Sequence, residues 1–174
     1  MLKLLTEYKD AISQSYEELK TYDPKIIMHN IPLKPDVKPL WQRQRPVNHI
    51  IEQLIMKEVK DLLDAKIIFP IYHSTWVENL VLVWKNIGEI CLCVDFCNLN
   101  LASQKDNYPF PSLDEVLQIV NGSKMMPFVM VNEEDQLKTT FTMKWGTFAY
   151  RRMPFGLINA GAMFNGQCMK LSKD

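Results

Sequence analysis

The chain has no apolar run approaching the roughly 20 residues of a membrane-spanning helix, so a helical span is excluded. Its N-terminus, Met1-Leu-Lys-Leu-Leu5 followed by Thr6-Glu-Tyr-Lys-Asp10, is soon interrupted by charge and lacks a signal-peptide cleavage pattern. A cytosolic or nuclear setting, not a secreted one, is the default expectation. Charge of one sign is also lacking: 20 Lys and Arg balance 20 Asp and Glu. That balance argues against charge-driven nonspecific nucleic-acid binding, because phosphate neutralisation supplies most such affinity. Cysteines number only 4. Cys91 and Cys93 fall on one face of a predicted strand about 7 Å apart, too far for a disulfide within a regular strand. Reduced thiols are expected. His49 and His73 have no Ser or Cys partner at a recognised spacing, which leaves nucleophilic catalysis without support. No Asp-Asp pair occurs in the sequence, and there is no internal repeat or low-complexity tract.

What is present is globular: 174 residues, 47% hydrophobic and 23% charged, enough for one domain or part of a larger one. Charge is unevenly placed. Lys34, Lys38, Arg43 and Arg45 surround Trp41, and Lys138, Lys144, Arg151 and Arg152 form a second group without carboxylates. Two solvated faces and a nucleic-acid groove both fit this pattern. Leu2 to Tyr22 has the apolar spacing of an amphipathic helix, ended by Asp23-Pro24. Pro32, Pro35, Pro39 and Pro46 make the next stretch extended and irregular. Asn48 is placed to cap a helix whose buried stripe is Ile51, Leu54, Ile55, Val59, Leu62 and Leu63.

Beyond that helix, Ile67 to Pro70 is a short predicted strand. Asn79–Lys85 and Glu89–Phe96 form a hairpin across Asn86-Ile-Gly88. In its second strand Ile90, Leu92, Val94 and Phe96 share one face, while Cys91, Cys93, Asp95 and Cys97 share the other. Ser112 and Glu115 read as a capping box for a helix to about Val120, following a turn at Tyr108–Pro111. Pro127 interrupts a strand over Met125–Val131. Thr139–Met143 and Thr147–Arg152 form a last hairpin, and Asn159–Met169 a closing helix. The order of elements predicts an α+β unit.

Cys91-x-Cys93-x3-Cys97 invites a zinc reading, but a flat strand holds alternate thiolates too far apart, and no fourth ligand is obvious. Trp76, Trp84 and Trp145 fit core packing better than base stacking.

The segment Trp145-Gly-Thr-Phe-Ala-Tyr-Arg-Arg-Met-Pro-Phe-Gly-Leu-Ile-Asn-Ala160 resembles the nucleotide-pocket segment of a retroelement reverse transcriptase. Ile90-Cys-Leu-Cys-Val-Asp-Phe-Cys-Asn-Leu-Asn100 is similar to another motif of that family. Ile31–Pro35 leading to Arg43-Gln-Arg45, Leu62–Pro70, His73–Trp76, Lys105–Pro109 and Lys138–Phe141 match in the same order. The whole chain thus resembles the start of the reverse transcriptase of gypsy-type LTR retrotransposon polyproteins. The resemblance implies a fingers subdomain with part of the palm of a right-hand polymerase, with residues 1–46 as lead-in and 47–174 as the reverse-transcriptase unit.

In that family, two metal ions held by three aspartates drive template-directed DNA synthesis, with magnesium taking hard oxygen ligands. Here Gly122–Met126 resembles the lead-in to the first aspartate, yet Phe128 passes directly into Val129–Asp135, which resembles sequence from beyond that site. The resemblance therefore implies an internally deleted, truncated domain with no catalytic residue retained, no metal site and no cofactor. Glu133, Glu134 and Asp135 correspond to an acidic surface turn. Relatives have arginines where this chain has Cys91 and Cys97, the first of which contacts nucleotide phosphates, and a thiol is a poor substitute. Residues implied to line the nucleotide pocket are Lys85, Asp95, Phe155, Gly156, Asn159 and Ala160. Without that pocket, the last four would serve as a turn and helix start. Arg43, Arg45, Arg151 and Arg152 are the candidate contacts to RNA or DNA. An unpaired strand edge and an exposed apolar face are expected to follow from the missing segments.

Overall fold

The computed structural model describes residues 21, 23–25, 27–84, 90–107 and 128–161. The expected N-terminal helix, the turn at Asn86–Gly88, the turn and capped helix over 108–120, and all but the first turn of the closing helix lie outside the described residues. So does Lys85.

The proline-rich stretch is irregular, as its fixed φ angles require. It is not loose, however. Strand β1 (Met28–His29) pairs in parallel with β5 (Met130–Val131). Further on, Leu33 bridges Ser103 and Trp41 bridges Val77. Ile27, His29 and Ile31 are buried.

Helix α1 (His49–Asp64) forms where the apolar period appears. Ile55, Val59 and Leu62 are buried, and Ile51 and Leu63 flank the core. Leu54 departs from the expected stripe and is exposed. At 100° per residue it stands well round the helix from Val59 and Leu62. The helix stops in a left-handed residue, Lys66 (φ 56°). The Lys66 amide donates to the Leu63 carbonyl and the Ile67 amide to that of Leu62, the paired bonds of a Schellman ending.

Strand β2 (Ile68–Ile71) is the edge of an antiparallel sheet in the order β2-β7-β6, with β6 at Phe141–Met143 and β7 at Gly146–Tyr150. An edge position accommodates Pro70, which has no amide to donate. Strands β3 (Leu80–Trp84) and β4 (Ile90–Val94) pair antiparallel, Leu80 opposite Val94. Bridges from Glu78 to Phe141 and from Met130 to Arg152 join the small sheets to one another. The expected alternation in β4 is present: Ile90, Leu92, Val94 and Phe96 are buried, with Cys91 and Cys93 half-buried on the other face. Within the core, Phe141 packs 5.8 Å from Phe148 and 5.5 Å from Tyr150.

Two expectations are corrected. Cys97 does not continue the strand; it opens helix α2 (Cys97–Ala102). Six residues carry under two helical turns, too few for a local period to show. Nor is Glu133–Asp135 a surface turn throughout. Asn132 caps a one-turn helix α3 (Glu133–Gln136) by accepting from the Glu134 amide, and a 3-10 turn follows over Leu137–Thr139. Glu133 and Glu134 are exposed, but Asp135 is buried. Its Oδ2 accepts from the Ile31 amide at 2.7 Å, and Lys138 binds both its carboxylate and the Ile31 carbonyl.

Candidate nucleotide pocket and basic groove

Gly156 sits at φ +96°, a conformation that L side chains rarely adopt, and reverses the chain after Phe155. Two asparagines hold this turn. Asn100 on α2 donates to the Gly156 carbonyl at 2.7 Å and accepts from the Ile158 amide at 2.8 Å. Asn159, itself buried, donates to the Gln104 carbonyl and accepts from the Asp106 amide. Ala160 starts the helix that follows. Phe155 is 83% exposed.

A Cβ on Gly156 would lie 3.6 Å from Phe96 and 3.7 Å from the Val94 carbonyl, which brings the turn to the end of β4. Asp95 is at that same end. Its Oδ1 accepts from the Cys97 amide, and Arg45 stands 3.7 Å from Oδ2. A hydrogen bond from the Cys97 thiol, helped by the Cys97 amide and by Arg45, holds the Asp95 carboxyl below the usual range. The structure thus brings Asp95, Phe155, Gly156, Asn159 and Ala160 to one region.

Adjoining it at Arg45, α1, β3 and the β6–β7 hairpin enclose an open groove of about 940 Å³. Arg43, Arg45, Lys144 and Trp145 line it, over apolar Ile55, Leu80, Leu82 and Met143. Lys144 is paired with Glu52 at 3.0 Å. Arg43 is exposed and, among the described residues, in no ion pair. Arg151 and Arg152 do not line this groove. Arg151 lies over the Phe69 ring and Arg152 over that of Phe128, where burial lowers the guanidinium's affinity for its proton.

A polar clamp that sequence reasoning missed positions the two groove arginines. Asn79 donates to Gln42 at 2.7 Å and to the Arg43 carbonyl, and accepts from the Arg45 amide. Gln42 in turn donates to Glu78 at 2.6 Å. Glu78 also accepts from Asn98 and from the Leu99 amide. Burial raises its pKa, against the pull of those hydrogen bonds. The available signal was Glu78-Asn79 set between Trp76-Val77 and the apolar run from Leu80, since buried polar groups of this kind need partners.

Among the described residues, no three His, Cys, Asp or Glu side chains gather as a metal site. No helix among them is long and apolar enough to cross a membrane.

No family model matches the chain. The Pol polyprotein of the Drosophila melanogaster transposon gypsy is 31% identical over 144 residues, covering 74% of this chain and 14% of the polyprotein. That of transposon 297 from the same fly is 29% identical over 144 residues, covering 75% and 14%. The chain thus spans about a seventh of these relatives' length. The prototype foamy virus protease-reverse transcriptase has a crystal structure that superposes with a TM-score of 0.73 at 21% identity, over 99% of this chain and 24% of that one. The foamy viral protein has also been solved with double-stranded DNA, at a TM-score of 0.72 and 21% identity over 99% of this chain and 37% of that one. A further structure, with an RNA/DNA hybrid, has a TM-score of 0.73 at 20% identity over 98% and 24%. The chain is a relative of the gypsy-type retrotransposon Pol polyproteins, with the α+β fold of a reverse transcriptase.

Proposed function

We propose that this chain is a remnant of a retrotransposon reverse transcriptase that carries out no DNA synthesis by itself. In this reading residues 1–46 are a lead-in and 47–174 the reverse-transcriptase unit, fingers with an incomplete palm. The observation that carries the reading is the use to which Asp135 is put. After the apolar run Phe128–Val131, it is the buried acid nearest to where a metal-binding aspartate is expected. Its carboxylate is taken up by the Ile31 amide and by Lys138. Asp95 is likewise engaged, by Cys97 and Arg45. Magnesium needs several carboxylate or water oxygens in octahedral array, and these acids do not fit it. The sequence contains no Asp-Asp pair to complete the site. Primer extension with the full chain, deoxynucleoside triphosphates and either Mg²⁺ or Mn²⁺ tests the reading. No extended product is expected, and template-dependent extension would refute it.

A second reading, a noncatalytic module that holds RNA or DNA, is favoured by the groove bearing Arg43, Arg45 and Lys144. The duplex-bound foamy viral structures support it at the level of the fold. Fluorescence anisotropy with labelled RNA and DNA should register salt-sensitive binding that the Arg43→Ala/Arg45→Ala variant weakens. Equal binding by variant and parent would remove the groove from consideration. Arg151 and Arg152, stacked away from it, are proposed only as secondary contacts.

A further inference from the structure

The β3–β4 hairpin is a two-stranded sheet, so among the described residues β3 has a partner strand on one side only. The Asp95 amide donates to the Asn79 carbonyl at 2.9 Å, which sets the phase of the ladder. Val81, two residues on from Asn79, therefore bonds across to β4, and Leu80 and Leu82 turn their amides and carbonyls the other way. On that other side Glu78, in step with them, donates its amide to the Thr140 carbonyl and bridges Phe141. Past this bridge β3 and β6 part. The groove of about 940 Å³ opens there, with Leu80 and Leu82 of β3 and Thr142 and Met143 of β6 along it. β6 is itself the outer strand of its sheet. Two strand edges thus border the groove.

Exposed edges are ordinarily blunted by a bulge, a proline or a charged side chain. Leu80–Trp84 has none of these: its register runs unbroken, and Val81, Val83 and Trp84 are exposed. A guest on this edge must offer both donors and acceptors, repeating every roughly 7 Å as alternate strand residues do. A phosphodiester backbone carries acceptors alone and leaves the Leu80 and Leu82 carbonyls unmatched. A peptide strand matches both. Charge then selects among peptides. Arg43, Arg45 and Lys144 line the groove against the single carboxylate of Glu52, and Ile55 and Met143 add apolar surface.

We propose that the groove takes an extended acidic segment of a partner protein, added as a strand beside β3. Apolar side chains of the guest, at alternate positions, cover the groove's apolar surface, and its carboxylates meet Arg43 and Arg45. The proposal does not rest on the nucleic-acid reading; the two compete for one groove.

The test is fluorescence anisotropy of the full chain with a labelled heptapeptide alternating valine and glutamate. Binding should saturate, and it should be lost when lysine replaces glutamate. At least one of the two alternately N-methylated forms of the peptide should bind about tenfold more weakly, since its pairing amides no longer donate. Hydrogen exchange supplies a readout that needs no protein variant: the peptide should slow exchange at the Leu80 and Leu82 amides. Absence of saturable binding, equal binding by both N-methylated forms, or unchanged exchange at those amides would overturn the proposal. Slow exchange there without peptide, in a chain that sediments as a dimer, would assign the edge to a second copy instead. Protection of the same amides by a single-stranded oligonucleotide and not by the peptide would give the groove to nucleic acid.

Discussion

His29 and Asp135 show how much rests on single side chains beneath the proline-rich stretch. Burial pushes His29 from 6.5 down to about 4, against the pull of Asp135. Between those values the unfolded chain takes up a proton at this site and the folded chain does not. Stability should therefore fall as pH drops from about 6.5 to about 4 and level off below, by on the order of 3 kcal/mol. Urea denaturation at stepped pH measures this, and His29→Leu should flatten that limb. Glu78 acts in the opposite sense. Its raised pKa means that its contribution is fully present at acid pH and is lost as pH rises through the folded-state value. Asp135→Ala leaves Lys138 without its counter-charge and the Ile31 amide without its acceptor. A loss of about 2–4 kcal/mol is expected from chemical denaturation. A surface carboxylate would show almost none.

The chain turns that define the elements make their own claims. Lys66 ends α1 in the left-handed region, where a side chain is strained and glycine is not. Lys66→Gly should stabilise the fold by about 1 kcal/mol. Gly156→Ala should do the reverse, losing about 1–2 kcal/mol. The space is adequate there, so the conformation sets the effect. Thermal melts of the two variants, read side by side, test both signs. The hairpins β3–β4 and β6–β7 were legible because strict alternation and a short turn are local signals. Helix α2 was not, because its six residues do not complete two turns. The pairing of β1 with β5 was invisible for a different reason: strands of two residues carry no pattern, and their match is made by burial from remote parts of the chain. At the candidate site, the segment Phe155–Asn159 was singled out through its motif as pocket-lining, and the turn it forms matches the alternative reading of the same residues. The clamp, in which Gln42 lies 36 residues from Glu78, was not.

For the molecule as a whole, zero net charge limits what any nucleic-acid contact can draw from electrostatics. The groove offers Arg43, Arg45 and Lys144, the last two partly neutralised by Asp95 and Glu52. If it binds duplex DNA, the log–log dependence of affinity on salt should have a slope of about −2 to −3. Anisotropy titrations between low and physiological salt give that slope, and one near zero would rule out a phosphate-tracking groove.

The pairing of Met28–His29 with Met130–Val131 also sets a timetable for synthesis. The early strand leaves the ribosome about a hundred residues ahead of its partner, an interval of roughly 5 to 20 s at ordinary elongation rates. Ile27 and Ile31, the apolar residues on either side of it, are buried in the folded chain. A nascent chain in this state is a ready client for chaperones, and a stall anywhere before residue 130 would leave that strand unmatched.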